Sequence, residues 1–460
     1  VYTNQCRAYQ EPIITERILV MNRENSLIFQ LDGVPKFSEA FPLALQHVVA
    51  MIVGCVTPAI IISTAAKIAP ADKVLMIQSA LVVAGLSTLL QLFGLGAGKF
   101  RFGSRLPVIM GISFAYVPSM EAIAKVHGIG AILGAQIVGG VIALIVGLFI
   151  KQIQKFFPPL ITGTVVFTIG LSLYPTAVNY MAGGKNAKDY GAPIHWIIAL
   201  ITLATVTILN HFAKGFLKLA SILIGIIVGY IVSLCFGMVN FSAIADASWV
   251  AIPNPVHFGL QFDLPSCVAM GLLFAINSIQ AIGDMTATTS GSMDRLPSED
   301  ELRGGILGYG FTNIIGALLG GLPTATFSQN VGIVTTTKVV NRCVLGLAAI
   351  LILISGFVPK ISAILTTIPQ AVLGGATISV FASIAMTGMR LINTEEMNYR
   401  ATSIVGLSVA LGMGISQAQE ALATFPEWVT IIFGKSPVVV TTVSAIILNI
   451  ILPKAKKAKQ

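Results

Sequence analysis

Long stretches without Asp, Glu, Lys or Arg follow one another along almost the whole chain. They run from 40 to 66, 74 to 98, 126 to 150, 156 to 184, 190 to 213 and 219 to 245, and then from 264 to 283, 304 to 337, 343 to 359, 361 to 389, 401 to 419 and 436 to 453. A helix of about 20 apolar residues crosses a bilayer, so the pattern predicts serial membrane helices. Gly320, Gly321 and Pro323 break the window 304 to 337 into two pieces. A shorter apolar piece, 106 to 120, carries Pro107, Gly111 and Pro118 and is too short for an ordinary spanning helix. Counted as a crossing, it brings the total to fourteen. The reading is an all-α polytopic membrane protein whose third and tenth segments hold short extended stretches.

Positive charges test the count, because cytoplasmic loops retain Lys and Arg. With fourteen crossings both termini share one side, and that side collects 21 of the 28 Lys and Arg. Both termini are therefore expected in the cytoplasm, in a multi-pass protein of the cell membrane. Composition agrees: 55% of the 460 residues are hydrophobic and 10% are charged, against about 25% charged in a soluble domain. A water-soluble enzyme, a disordered chain and a free-standing nucleic-acid binder are excluded, and the net charge of +9 reads as topology. Cys6, Cys55, Cys235, Cys267 and Cys343 are scattered, so neither a disulfide framework nor a zinc site is indicated. Residues 1 to 20 read as an extension ahead of a start at Met21, within a cytoplasmic segment 1–36. Residues 454–460 read as a cytoplasmic tail with an affinity for anionic lipid.

A faint internal repeat divides the crossings into seven plus seven. Phe157-Pro158-Pro159-Leu160-Ile161-Thr162-Gly163 resembles Ile368-Pro369-Gln370-Ala371-Val372-Leu373-Gly374, 211 residues on, and the same step carries Phe114 to Ala325. Because seven is odd, the halves would be inverted in the membrane. Paired, interrupted segments at matching positions of an inverted repeat point to a transporter's binding site at the midplane.

Polar groups inside the membrane are few. Asp284 ends Gln280-Ala281-Ile282-Gly283-Asp284, and a carboxylate there is costly unless paired, protonated or functional. A satisfied interhelical hydrogen bond or a helix-end position is the competing explanation. Gln280 lies one turn earlier on the same face, and its planar amide can donate to and accept from a ring lactam edge. The run Thr324 to Lys338 is dense in Ser, Thr, Gln and Asn and reads as a short extended stretch leading into a half-helix. Freed backbone amides there, with Gln329 and Asn330, can face a ligand; helix-packing polar contacts are the alternative. On the other short segment Ser113 and Phe114 would lie opposite, Phe114 to stack on a flat ring or simply to pack. Gln46 and His47 lie in the first segment, where His47 can orient a neighbour, carry a proton or be an ordinary buried histidine. Signatures for zinc hydrolases, serine hydrolases and phosphate-binding loops are absent from the sequence, which leaves secondary transport rather than an enzyme or an ATP-driven pump.

At these residues the chain, from about Leu27 to Leu452, resembles the nucleobase-ascorbate transporters. Gln329, Asn330, Gly332, Thr337 and Lys338 meet the family signature [Gln/Glu/Pro]-Asn-X-Gly-X4-Thr-[Arg/Lys/Gly] in full. Gln46-His47, Ser113-Phe114 and Gln280 to Asp284 match three further motifs in order. The resemblance implies a core domain of segments 1–4 (37–156) and 8–11 (264–366), and a gate domain of segments 5–7 (157–263) and 12–14 (367–453). It also implies a homodimer, elevator-like movement of the core, and purines such as xanthine or uric acid as substrates, since the uracil branch resembles a glutamate where Gln329 stands. By the same resemblance Gln329 and Gln280 grip the ring edges, with Phe114 and Ala325 presenting backbone amides and Ser113 and Thr326 beside them. Asn330, His47, Gln46, Asp284 and Thr337 support the site or the coupling. No metal or organic cofactor is expected, and a proton is favoured over sodium as the coupling ion. Two departures matter: Gln280 stands where many members have Glu, and Tyr309 where many have a carboxylate in the ninth segment. Uncoupled facilitation and transport of uracil or another nucleobase therefore remain open. More distant are an anion transporter of the same architecture, which would need a fixed cation at the crossing of the short segments, and a receptor or scaffold that binds a purine without moving it.

Overall fold

The computed structural model describes residues 27–153, 158–185, 187–241, 244–245, 247–426, 429–434 and 436–453. The N-terminal stretch with Cys6 and Met21, Phe157 of the repeat, Lys155, Lys435 and the tail 454–460 lie outside the described residues.

The chain is helical from Phe37 onward, with the breaks at Gly and Pro and the starts at proline or capping side chains. In order come α1 (Phe37–Ala65), α2 (Pro70–Phe93), β1 (Met110–Ile112), α3 (Val117–Leu148), α4 (Pro159–Met181), α5 (Pro193–Phe212) and α6 (Ser221–Cys235). The second half holds α7 (Leu264–Ser292), α8 (Glu299–Leu318), β2 (Thr324–Thr326), α9 (Ser328–Thr337), α10 (Arg342–Gly356), α11 (Pro359–Thr366), α12 (Gln370–Ile392), α13 (Tyr399–Gln417) and α14 (Pro437–Ile451). Proline opens α2, α4, α5, α11 and α14, where its missing N–H costs nothing. Asp263 caps α7 by accepting from the Ser266 amide at 2.9 Å. Ser298 and Glu301 form a reciprocal capping box on α8, and Asn341 and Asn398 cap α10 and α13.

By length and apolar composition seven of the described helices can cross a membrane: α1, α2, α3 with the turn before it, α4, α5, α7 and α12. An eighth is counted if α10 and α11, bent by 80° at their junction, form one span. The protein is thus a multi-pass membrane protein. Of the remaining elements α6, α9 and α14 are short, while α8 and α13 are long enough but less apolar.

The two irregular segments are strands followed by half-helices, as the interrupted sequence implies. β1 and β2 pair antiparallel, with Met110 opposite Thr326, Gly111 opposite Ala325 and Ile112 opposite Thr324. The first short segment extends further than its apolar window suggests. A helix begins at Val117 and continues through Glu121 and Lys125 until Gly128, whose φ of 79° and ψ of −171° interrupt α3. Glu121 and Lys125 pair at 2.7 Å one turn apart, which offsets the cost of charge within the segment. The half-helices begin at Val117 and Ser328, 211 residues apart. The window 361 to 389 also divides, because α11 ends at Thr366 and α12 starts afresh at Gln370.

Close approach of helices rests on small residues. A Cβ on Gly163 would lie 2.7 Å from the Ile392 amide nitrogen, and one on Gly170 would lie 2.5 Å from that of Ala385. These glycines let the backbones of α4 and α12 pack directly, the usual device where hydrophobicity cannot drive association.

Candidate functional site

The site is built where β1 and β2 meet, between α1, α2, α7 and α8 on one side and α4 and α12 on the other. A pair of three-residue strands cannot stand alone, so neighbouring side chains hold both. Thr88 of α2 receives a hydrogen bond from the Met110 amide at 3.0 Å and donates to its carbonyl at 3.1 Å. Asn313 of α8 does the same for β2: its Oδ1 accepts from the Thr324 amide at 2.8 Å, and its Nδ2 donates to the Thr324 carbonyl at 3.1 Å. The Ser113 amide donates to the Pro323 carbonyl at 3.0 Å and the Phe327 amide to the Ile109 carbonyl at 2.9 Å, extending the crossing at both ends. Gly111 is required here, because a Cβ would meet the Phe327 ring at 2.6 Å and Cys55 Sγ at 2.9 Å.

A cavity of about 260 Å³ lies beside the crossing, small against the roughly 300–1,000 Å³ of ligand pockets generally. Ser113, Phe114, Gln280, Thr326 and Gln329 line it from one side, and Val166, Ile169, Ser383, Thr387 and Arg390 from the other. Gln280 and Gln329 have no hydrogen-bond partner among the described residues, so two planar amides are free towards one space. Phe114 is buried and meets Phe381 of α12 edge to face, with ring centroids 5.3 Å apart. Ser113 accepts from the Ala115 amide at 3.2 Å, which shapes the turn that carries Phe114. At the start of α9 the Asn330 and Val331 amides donate to the Phe327 carbonyl at 2.9 and 3.2 Å, while those of Ser328 and Gln329 have no preceding turn to bond to.

Five residues singled out in the sequence stand behind or beside this cavity. The Asp284 carboxylate accepts from Thr326 Oγ1 at 2.5 Å and from Ser328 Oγ at 3.1 Å, tying α7 to β2 and the start of α9. Asn330 Nδ2 reaches His47 Nδ1 at 3.1 Å and the His47 carbonyl at 3.3 Å, tying α9 to α1. Ala325 is buried at the strand centre against Gly111, and Gln46 is half-buried; neither lines the cavity. Thr337 sits at the far end of α9, where its hydroxyl donates to the Ile333 carbonyl at 2.8 Å and accepts from the Val339 amide at 3.3 Å. It closes the half-helix beside Lys338, whose φ is 57°. Lys338 lies 3.5 Å from Asp294, away from the crossing. Tyr309 is fully buried, hydrogen-bonded to the Tyr116 hydroxyl and stacked on Phe274 at 5.5 Å, and does not line the cavity.

Thr88, Asn313 and Tyr116 did not stand out in the sequence, and Tyr309 did so only through the resemblance. Thr88 and Asn313 are single polar residues within helices, and nothing in their neighbours signals that they face a strand end. Among the described residues no group of three His, Cys, Asp or Glu side chains could hold a metal ion.

The chain matches the Xan_ur_permease model, described as a permease family, over residues 38–421. It is 34% identical over 441 residues to the putative purine permease CPE0397 of Clostridium perfringens, covering 96% of each chain. It is 33% identical to xanthine permease XanQ of Escherichia coli over 444 residues, 93% of this chain and 94% of that one. To uric acid permease PucK of Bacillus subtilis it is 33% identical over 409 residues, 88% and 94% of the two chains. Among solved structures, the transmembrane domain of the cyanobacterial bicarbonate transporter BicA superposes with a TM-score of 0.55 at 14% identity, over 89% of this chain and 97% of that one. SLC26A9 superposes with a TM-score of 0.60 at 10% identity, over 90% and 66%. At those identities the likeness is one of fold. The family match, by contrast, spans most of the sequence, including the stretches that build the site, and the chain belongs to the nucleobase-ascorbate transporter family, a family of permeases rather than enzymes.

Proposed function

We propose that this protein is a purine permease of the cell membrane that carries a xanthine- or urate-like base between Gln280 and Gln329. The observation that carries the reading is the pair of unpartnered amides facing one small cavity beside Phe114. Each amide offers a donor and an acceptor in one plane, the complement of a lactam edge on a flat ring. Phe114 supplies an aromatic face, and Ser113 with the Ser328 and Gln329 amides supplies further donors. Relatives named as xanthine and uric acid permeases support the same substrate class. Asn330 and His47 brace Gln329, and Thr88 and Asn313 fix the strands.

The proposed architecture is fourteen segments in two inverted repeats with cytoplasmic termini. Counterpart packing supports it: α7 and α8 pack on α3 as α1 and α2 pack on α10, and α5 packs on α6 as α13 packs on α14. The core, α1–α3 with α7–α11, moves past the gate, α4–α6 with α12–α14, in a homodimer. The site opens beside the gate's Thr387 and Arg390, while Ser119 of α3 and Ser436, just ahead of α14, bond at 2.7 Å at the opposite end.

For coupling, Asp284 is the carboxylate in reach of the site and a proton the proposed ion. A second reading, uncoupled facilitation, is favoured by the neutral Gln280 and by Tyr309 being held in an aromatic cluster away from the cavity. Uptake of labelled xanthine by cells expressing the protein, competed by urate, hypoxanthine, guanine and uracil, tests the substrate class. Purines should compete and uracil should not; saturable uracil uptake indifferent to purines would end the purine reading.

A further inference from the structure

Two features of the cavity have different chemical meanings. The amides that would read a purine's edges are neutral, and Arg390 is the charged side chain among the lining residues. Arg390 lies in the last turn of α12, with Thr387 and Ser383 at i−3 and i−7 on the same face, and all three line the cavity. A cation near a helix C-terminus is favourable in itself, but that does not account for a guanidinium without a protein partner at a binding cavity.

Among the described residues Arg390 has neither an ion pair nor a hydrogen-bond partner. Neither Glu395 nor Asp284 pairs with it, and Glu396, six residues on, makes no ion pair with it either. Glu395 accepts from the Leu160 amide at 3.3 Å. Asp284 is occupied by Thr326 and Ser328. Arg400, the next cation along the chain, bonds instead to the Leu452 carbonyl at 3.1 Å and the Asn449 carbonyl at 2.6 Å. Arg390 thus brings to the cavity a positive charge with no ion-pair partner among the described residues, and a cation beside low-dielectric walls raises the local concentration of anions. The planar guanidinium can also give two parallel hydrogen bonds to an anionic ring edge.

We propose that Arg390 is a charge filter on the gate side of the permeation path, favouring purines that travel as anions, such as urate, over neutral purines of similar shape, such as hypoxanthine. Gln280 and Gln329 recognise the ring edge whatever its charge, and Arg390 adds the dependence on charge. This inference rests on the purine-permease reading.

The test compares kcat/KM for urate and hypoxanthine uptake into proteoliposomes holding the wild type, Arg390→Gln or Arg390→Lys, all near neutral pH. Arg390→Gln should lower the urate-to-hypoxanthine ratio about tenfold, mainly through urate. Arg390→Lys should keep most of the ratio, because it keeps the cation. In the wild type, higher ionic strength should shrink the ratio without any mutation, since salt screens the charge. An unchanged ratio in Arg390→Gln, an equal loss for both purines, or a Lys variant no better than the Gln variant would overturn the filter. If Arg390→Gln does not fold, the wild-type salt dependence decides, and a ratio indifferent to salt overturns the proposal. Wild-type uptake of neither purine would overturn the permease reading and the filter with it; uptake of both at an unchanged ratio overturns the filter alone.

Discussion

Gln329 and Asp284 sit a few residues apart in space and have opposite situations: one amide is free towards the cavity, and one carboxylate is fully engaged by hydroxyls. On the proposed reading, that contrast separates recognition from coupling. Replacing Gln329 with Glu keeps the shape but removes the donor, so purine half-saturation should rise by roughly tenfold, about 1.4 kcal/mol, within reach of one or two lost hydrogen bonds. An unaltered substrate profile would count against direct contact. Asp284→Asn removes the ionisable group while keeping partners for Thr326 and Ser328. Equilibrium binding of xanthine should survive and accumulation against a gradient should be lost; unchanged concentrative uptake would rule out a coupling role. At this scale the motif residues were legible because glutamine, asparagine and aspartate are costly in a membrane and cluster in the sequence. Asn313 and Thr88 were not, because their task depends on strand ends that only the fold brings to them.

Strand and half-helix could be read from Gly320, Gly321 and Pro323, which free the backbone ahead of a polar run. The partner element was harder to delimit. Glu121 and Lys125 make residues 117 to 127 look like a loop, but they pair with each other one turn apart, Thr176 donates to Glu121 at 3.3 Å, and the helix continues to Gly128. That half-helix also carries Ser119, whose hydroxyl meets Ser436 at 2.7 Å across the proposed core–gate boundary. If the core slides past the gate, this contact must break in each cycle. Ser119→Cys with Ser436→Cys, oxidised in the membrane, should stop uptake, and reduction should restore it, whereas each single substitution stays active. Full transport in the cross-linked protein would show that these elements do not move apart.

Across the whole molecule, the hydropathy pattern announced a polytopic membrane protein, and seven or eight of the described helices are plainly long and apolar enough to span. The remaining segments of the proposed fourteen escape that criterion for a physical reason. Elements buried by protein, such as α8 with its glycines or α9 with its hydroxyls, need not be apolar along a full bilayer width. Only the repeat and the alternation of positive charge bring them into the count. The same burial explains how a two-stranded crossing survives at membrane depth: every strand end finds a side-chain or backbone partner in the helices around it. The central claim is that this arrangement moves purines. The measurement that tests it most directly is uptake of radiolabelled xanthine into proteoliposomes of the purified protein, under imposed proton or sodium gradients, with unlabelled purines and uracil as competitors. The account predicts saturable flux, blocked by purines, insensitive to uracil and raised by an inward proton gradient. Saturable flux blind to both gradients would mean that Gln280 and Tyr309 leave a facilitator, and no purine-inhibitable flux under any gradient would contradict the account.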